Sequence, residues 1–303
     1  MTIRFRIPAL AATAATAALL LTACSTTGTT PAQTKAGATK ADDAAPGTGH
    51  LHGLGMDPAD GALYAAGHLG VFRLTPAGAV RVADRYQDTM GFTVTGPQTF
   101  LASGHPSPTD PTATSPHLGL IRSTDAAQPW TTVSAAGEAD FHSLQQAGPT
   151  LYGLDSQTSQ IWASTDVGAT WERRAKIGAG DLAAHAGTPQ KVWATTRGGL
   201  ARSTDGGATF QSVPGTPVLA AVEQPAPDRL IALAADGTIL TGSDGTSWTE
   251  RGRLPEGARP AVLTAASPTH LLAADTSDAV HESKDGGRTW TTVHRPDHAT
   301  TGH

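Results

Sequence analysis

Histidines and acidic residues flank single apolar residues in two segments of the chain. His50 and His52 flank a leucine, and Asp140 and His142 flank a phenylalanine. Both segments have the composition of short strands, in which alternate side chains point to the same side. Aligning the two segments places His52 beside His142 and His50 beside Asp140. We therefore expect these four side chains to surround one polar site.

A fifth candidate ligand, His105, follows the second strand of the unit between these two segments. Neutral imidazole and carboxylate are good ligands for divalent zinc or copper, so the five residues predict a metal site. His52 and His142 would be direct ligands, and Asp140 would ligate or orient a histidine ring. The same alignment places Asp181 at the position of Asp140. The alternative interpretation is a set of hydrated histidines that line a channel or cap a strand.

Composition limits the classes of partner. The chain has 303 residues, with 21 Lys and Arg against 26 Asp and Glu, and a net charge of −5. This balance argues against nucleic acid as a partner. The single cysteine excludes an intramolecular disulfide framework.

An eight-residue pattern recurs at nearly constant intervals. Copies start at residues 123, 164, 203 and 283, and a degenerate copy starts at 241 with Ser243 where the aspartate belongs, so successive starts are 38 to 42 residues apart. An aspartate in a tight turn accepts backbone N–H groups and a glycine supplies a positive φ, which predicts a structural role for each copy. The copies contribute these aspartates and rings: Asp125, Asp166, Asp205, Asp285, Trp130, Trp171, Phe210, Trp248 and Trp290.

The pattern Ser-x-Asp-x-Gly-x-Thr-Trp resembles the Asp-box, or BNR, repeat, and the resemblance covers nearly all of residues 49–296. It implies a β-propeller with the boxes on the outer rim, away from any active centre. Four-strand units starting near residues 50, 90, 140, 181, 218 and 261 predict an all-β fold of six blades. A Pro- and Thr-rich insertion at 104–117 is expected on one face of the ring, where such insertions often line a site.

The first residues predict an extracytoplasmic location. Residues 1–23 have a basic start and an apolar Ala/Leu stretch, as in a secretion signal. Leu-Thr-Ala-Cys at 21–24 resembles the bacterial lipobox, which implies cleavage before Cys24 and a lipid anchor on it, holding the protein to the outer face of the cell membrane. An ordinary cleaved signal with an incidental cysteine is the alternative. Residues 24–48 predict a flexible tether, and residues 297–303 a polar tail.

Three functional classes fit these features. The first is a module that binds a ligand or an extracytoplasmic protein, since Asp-box propellers include receptors and assembly factors. The second is metal handling through the His/Asp residues. The third is a glycosidase, because the start His50-Leu51-His52-Gly53-Leu54 resembles that of bacterial lipoproteins labelled glycosyl hydrolase or sialidase-like.

The sialidase pattern itself is incomplete in this chain. It implies an Arg triad, a Tyr nucleophile paired with Glu, and an Asp acid. Of three tyrosines only Tyr86 has charged neighbours, and no Arg triad is recognisable on the inner strands. We therefore predict a lipid-anchored binding module that holds a divalent metal in its channel. Whether it also has catalytic activity is left open at this point. A sialidase-like exo-glycosyl hydrolase is the alternative.

Overall fold

The structure is a computed structural model that describes residues 47–296. The predicted signal at 1–23, the lipidation site Cys24, nearly all of the tether and the tail at 297–303 lie outside the described residues. Within 47–296 the regular structure consists of 24 strands. No helix in this range is long and apolar enough to cross a bilayer.

The strands form six sheets of four, and each sheet is an antiparallel meander in chain order. The first three sheets contain β1 (Leu51–Met56), β2 (Leu63–Gly67), β3 (Gly70–Thr75) and β4 (Gly78–Arg81), then β5 (Asp88–Gly96), β6 (Thr99–His105), β7 (Leu120–Ser123) and β8 (Thr131–Ser134), then β9 (Phe141–Ala147), β10 (Thr150–Asp155), β11 (Gln160–Ser164) and β12 (Glu172–Lys176). The last three contain β13 (Ala179–Ala184), β14 (Val192–Thr196), β15 (Gly199–Ser203) and β16 (Gln211–Val213), then β17 (Leu219–Ala226), β18 (Arg229–Ala234), β19 (Thr238–Gly242) and β20 (Thr249–Arg253), then β21 (Pro260–Ala265), β22 (Leu271–Asp275), β23 (Val280–Ser283) and β24 (Thr291–His294).

The first strands of the sheets contact one another in sequence, from β1 through β5, β9, β13 and β17 to β21, and β21 contacts β1. This closed ring is a six-bladed β-propeller, which confirms the predicted fold. Each blade is one continuous segment of the chain, so the first and last blades share no strand.

The hydrophobic core is divided among the six interfaces between neighbouring blades. Second strands are buried on both faces, as in β10, because each lies between two blades. Five interfaces include the partly buried ring of a box residue: Trp130, Trp171, Phe210, Trp248 and Trp290. The interface of blades six and one is built instead from aliphatic residues such as Leu51, Leu54 and Leu272.

The boxes form hydrogen-bonded turns between the third and fourth strands. In the box of blade four, Ser203 Oγ accepts the Gly207 N–H at 2.8 Å, and the Asp205 carboxylate accepts the backbone N–H and hydroxyl of Thr209 at 2.9 and 2.6 Å. Hydrogen bonds from Thr209 lower the pKa of Asp205 to about 2. Gly207 has φ +84°, a conformation that glycine adopts without strain.

The degenerate box keeps a turn of this kind through a neighbouring aspartate. Asp244, one residue after Ser243, accepts the N–H groups of Thr246 and Ser247 at 2.9 and 3.2 Å. The indole of Trp248 donates to the Gly245 carbonyl at 3.0 Å. The turn therefore tolerates a shift of the acidic residue by one position.

Candidate metal-binding site

Every inner strand has a β-bulge near its start, where the pairing register with the second strand skips one residue. A bulge re-aims side chains and is frequent beside functional sites. The skipped residues are His52, Met90, His142, Gly180, Ala220 and Ala261. The same structural position therefore carries an imidazole in blades one and three and a glycine or alanine in blades four to six.

The position two residues before the bulge carries a potential metal ligand only in the first three blades. It holds His50, Asp88 and Asp140 in blades one to three, and Gly178, Val218 and Arg259 in blades four to six. Potential metal ligands thus collect on one side of the channel mouth.

The facing position, at the end of the second strand, adds two more imidazoles. The His68 N–H donates to the His50 carbonyl at 3.1 Å in blade one, and His105 lies opposite Asp88 in blade two. In blade three the Ser156 N–H donates to the Asp140 carbonyl at 2.9 Å. Paired backbone positions in three consecutive blades therefore present the side chains of the site.

Asp140 is the centre of the contacts in blades two and three. Its Oδ2 lies 2.9 Å from His142 Nε2, 3.6 Å from His105 Nε2 and 2.7 Å from the Ser156 hydroxyl. Burial alone would raise the pKa of Asp140, but the hydrogen bonds with His142 and Ser156 outweigh it and hold the pKa below its ordinary value. The residue is an ionised acceptor although only 4% of it is exposed.

His50 and His52 meet His68 in blade one. The His52 ring lies 4.5 Å from the His68 ring and 5.1 Å from the His50 ring, centroid to centroid. His50 Nδ1 is 3.3 Å from Asp278 Oδ1 of blade six. Of the five residues expected at one site, the structure thus places His50 and His52 in one group with His68. It places the other three, His105, Asp140 and His142, in a second group.

Asp88 connects these two clusters, because its oxygens contact different histidines. Oδ1 lies 2.9 Å from His68 Nδ1, and Oδ2 lies 3.3 Å from His105 Nδ1. The polar residues of blades one to three are therefore continuous from His50 to His142. Together with His117 they form the His/Asp cluster, which consists of His50, His52, His68, Asp88, His105, His117, Asp140 and His142.

Two triads within the His/Asp cluster have ligand atoms that lie within 4.8 Å of one another. The first ligand group is His52, His68 and Asp88, and the second ligand group is His105, His117 and Asp140. Ligand atoms held at about 2 Å from one ion are at most about 4 Å apart, so a closing movement below about 1 Å completes either set.

Three ligand atoms of the cluster are buried without a hydrogen-bond partner. They are His52 Nε2, His117 Nδ1 and Asp140 Oδ1. Leaving a buried polar atom unpaired costs about 1–3 kcal/mol. Three such atoms at one site therefore indicate that the site binds a ligand. Burial, followed by the charges of His68 and His50, lowers the pKa of His52 to about 4, which keeps its ring neutral and able to bind a metal at neutral pH.

Asp88, His68 and His117 belong to the ligand groups but are absent from the five residues expected there. Asp88 and His68 were accessible to sequence reasoning, because they are the blade-two and blade-one equivalents of Asp140 and His105. His117 closes the insertion, and its ring lies 5.4 Å from that of His105. No strand pattern predicts that contact, since the insertion folds back on itself.

The expected equivalence of Asp181 and Asp140 is wrong. The residue of blade four that matches Asp140 is Gly178, and Asp181 matches Ser143, one residue beyond the bulge. The mismatch is a shift of three residues, because the blade-four residue that matches Phe141 is Ala179, which is too small to mark the start of the strand in the sequence.

Asp181 instead links three blades. Its Oδ1 accepts the Ser143 hydroxyl at 3.0 Å from blade three, and its Oδ2 accepts the Val222 N–H at 3.0 Å from blade five. Burial raises the pKa of Asp181 to about 6 despite these hydrogen bonds. Burial, and then the charge of Asp181, raise the pKa of Glu223 well above its ordinary value.

The central channel encloses about 590 Å³ and is lined by the inner strands of all six blades. His52 and His142 lie on its wall, as do Asp181 and Glu223. The His/Asp cluster therefore borders a cavity large enough for a small molecule.

Comparisons with known proteins extend no further than the fold. No protein-family model matches the chain, and no curated protein matches it. The GH74 enzyme of Niastella koreensis superposes with a TM-score of 0.54 at 16% identity, over 81% of this chain and 45% of that one. This chain thus spans less than half the length of that enzyme.

Two further solved structures match over most of both chains. YCF48 bound to D1 peptide has a TM-score of 0.50 at 15% identity, covering 82% of this chain and 82% of that chain. Catalytically inactive virginiamycin B lyase from Staphylococcus aureus, with quinupristin, has a TM-score of 0.52 at 12% identity and covers 84% and 87%. Identities this low show the propeller fold alone.

Proposed function

We propose that this protein is a lipid-anchored, extracytoplasmic β-propeller that binds divalent zinc or copper at the His/Asp cluster. The observation that carries the proposal is the set of three buried, unpartnered ligand atoms on His52, His117 and Asp140. The anchor rests on the lipobox-like sequence that ends at Cys24.

The chemistry of the cluster favours these metals. Six of the chain's twelve histidines lie in it, together with two carboxylates, and imidazole nitrogen with carboxylate oxygen suits zinc and copper better than calcium or magnesium. Asp278 contacts His50, whose ring packs against that of the candidate ligand His52.

The short contacts in the cluster are compatible with coordination as well as with hydrogen bonding. Ligand atoms at about 2.05 Å from a tetrahedral ion are about 3.3 Å apart. Contacts of 2.9 Å between His68 and Asp88 and of 3.6 Å between His105 and Asp140 bracket that separation. An ion could therefore enter without rebuilding the backbone.

The test is metal binding by the full-length chain. The purified protein is stripped with a chelator, titrated with zinc or copper by calorimetry, and its metal content is measured after desalting. We expect His52→Ala with His142→Ala to lower affinity at least tenfold, and the matched double variant His185→Ala with His270→Ala, outside the cluster, to retain it. Equal affinity in both double variants would contradict the proposal.

A glycosidase is the second candidate, because Asp181 and Glu223 both line the channel. Glycoside hydrolysis requires one carboxyl group that is protonated and another that is ionised. Here the pKa values of both Asp181 and Glu223 are raised. Asp181 also accepts hydrogen bonds from two other blades, which fits a structural role better than a catalytic one. Tyr86 packs 3.9 Å beneath the Arg81 guanidinium rather than on the channel wall. Hydrolysis of aryl glycosides that is lost in Glu223→Gln would favour this candidate over metal binding.

A further inference from the structure

We infer that the His/Asp cluster holds two metal ions, one in each ligand group, linked through Asp88. This inference rests on the proposed metal binding and specifies its stoichiometry. The two ligand groups share no residue, and each supplies two imidazoles and one carboxylate within 4.8 Å. Three protein ligands with a further position open to water or a small molecule is a complete set for zinc.

A single ion does not fit both groups, because the His105 ring lies between the carboxylates of Asp88 and Asp140. Asp88 Oδ1 faces His68 of the first ligand group at 2.9 Å. His105 turns Nδ1 toward Asp88 Oδ2, at 3.3 Å, and Nε2 toward Asp140 Oδ2, at 3.6 Å. One imidazole thus separates the carboxylate of the first ligand group from that of the second.

This orientation gives Asp88 two functions. Its Oδ1 would ligate the first ion together with His52 and His68. Its Oδ2 would accept the Nδ1 proton of His105, which fixes the tautomer in which Nε2 is free to bind the second ion. A carboxylate behind a metal-binding histidine holds the ring in place and increases its basicity. Asp88 is therefore a ligand of one ion and a positioning residue for the other.

The unpartnered atoms are distributed in agreement with two ions. His52 Nε2 belongs to the first ligand group, while His117 Nδ1 and Asp140 Oδ1 belong to the second. A single ion in either group would leave at least one buried ligand atom of the other unpaired. Two ions satisfy both groups.

The experiment measures stoichiometry in the full-length protein. We expect two zinc or copper ions per chain in the unmodified protein, one in His68→Ala and one in His117→Ala. Asp88→Asn should lose the first ion and weaken the second about 10- to 100-fold, the usual effect of removing a carboxylate behind a histidine ligand. Copper loaded into both groups should give an EPR spectrum broadened by coupling between the ions, and each single variant should give the spectrum of an isolated ion.

The possible results separate this inference from the proposed function. No ion above the level of a buffer blank overturns both. One ion per chain in the unmodified protein leaves metal binding intact and overturns the pair. Two ions, with an unchanged second affinity in Asp88→Asn, overturn the link through Asp88. His68→Gln and His117→Gln replace the alanine variants if circular dichroism shows that those are unfolded.

Discussion

The Asp140 carboxylate lies 2.9 Å from the His142 imidazole, which is closer than alternate side chains of a regular strand stand. The phenylalanine between them is fully buried. The bulge at His142 makes this close contact possible, because it adds a residue to the strand without advancing the pairing with β10. His52 occupies the same bulge in blade one. A backbone irregularity repeated around the ring thus supplies the geometry of the cluster.

Gly104 should be intolerant of a side chain. It has φ +141°, and a Cβ there would lie 2.1 Å from the Asp88 carbonyl oxygen. We expect Gly104→Ala to lower the free energy of unfolding by about 2–4 kcal/mol and to reduce metal affinity, because Asp88 and His105 must separate. Urea denaturation and calorimetry measure the two effects.

The control for this variant is Gly78→Ala. Gly78 has a similar φ of +126°, but no atom lies within 4 Å of the added Cβ. The backbone strain is therefore shared and the collision is not. Equal losses of stability in both variants would show that contact with Asp88 is unimportant.

Asp181 should contribute stability in mild acid that is lost at neutral pH. Its pKa is raised from 3.8 to about 6, so the folded state binds the proton more tightly than the unfolded state. The stabilisation is complete below pH 3.8 and is lost as the pH rises through about 6. Asp181→Asn should raise the free energy of unfolding at pH 7.5 by up to about 3 kcal/mol and remove the contribution of Asp181 to the pH dependence between pH 5 and 7.5, leaving those of Glu223 and His52.

Asp205→Asn is the matched variant for that measurement, since the pKa of Asp205 is lowered to about 2 and the group is exposed. Its stabilising contribution is present above its ordinary pKa and disappears only as the pH falls through about 2. The slope between pH 5 and 7.5 should therefore remain as in the unmodified protein. A slope in Asp181→Asn that is identical to that of the unmodified protein would contradict the role of Asp181.

Trp171 should contribute more through its ring than through its indole N–H. The ring packs 4.8 Å from Phe141, and the N–H donates to Ser134 Oγ at 2.8 Å. We expect Trp171→Ala to cost about 3–5 kcal/mol and Trp171→Phe about 1 kcal/mol in chemical denaturation. Similar losses in the two variants would mean that the hydrogen bond dominates.

Cys24→Ala should release the protein from the membrane. The sequence predicts attachment through a lipid anchor on Cys24, and a variant without the thiol cannot be acylated there. After cell fractionation we expect the unmodified protein in the membrane fraction and the variant in the soluble fraction. Equal membrane association of the two would exclude the anchor.

The fold was predictable because it is written as a repeat, with one apolar pattern and one turn signature returning about every 40 residues. That Asp140 and His142 lie on the same side of the chain was also predictable from strand alternation, but their 2.9 Å contact depends on the bulge. The bulges were not, because the bulged position accepts residues as different as Met90 and Gly180. The start of the inner strand in blade four is also hidden from sequence reasoning, because Ala179 stands where blades one and three have Leu51 and Phe141. The approach of His117 depends on the path of the insertion, which no local pattern specifies.

The ring has one joint unlike the others, where blade six meets blade one with no direct chain connection between the blades and no box ring at the interface. Two hydrogen bonds cross it beside the aliphatic contacts: Leu51 N to Asp278 Oδ1 at 2.9 Å, and Thr264 Oγ1 to the Leu54 carbonyl at 3.0 Å. A mechanical pull on the N-terminal end of the described chain enters through the residues just before β1 and therefore loads this joint first. Under tension the ring would open at this joint, and β1 would separate from β21 before the other interfaces between blades open.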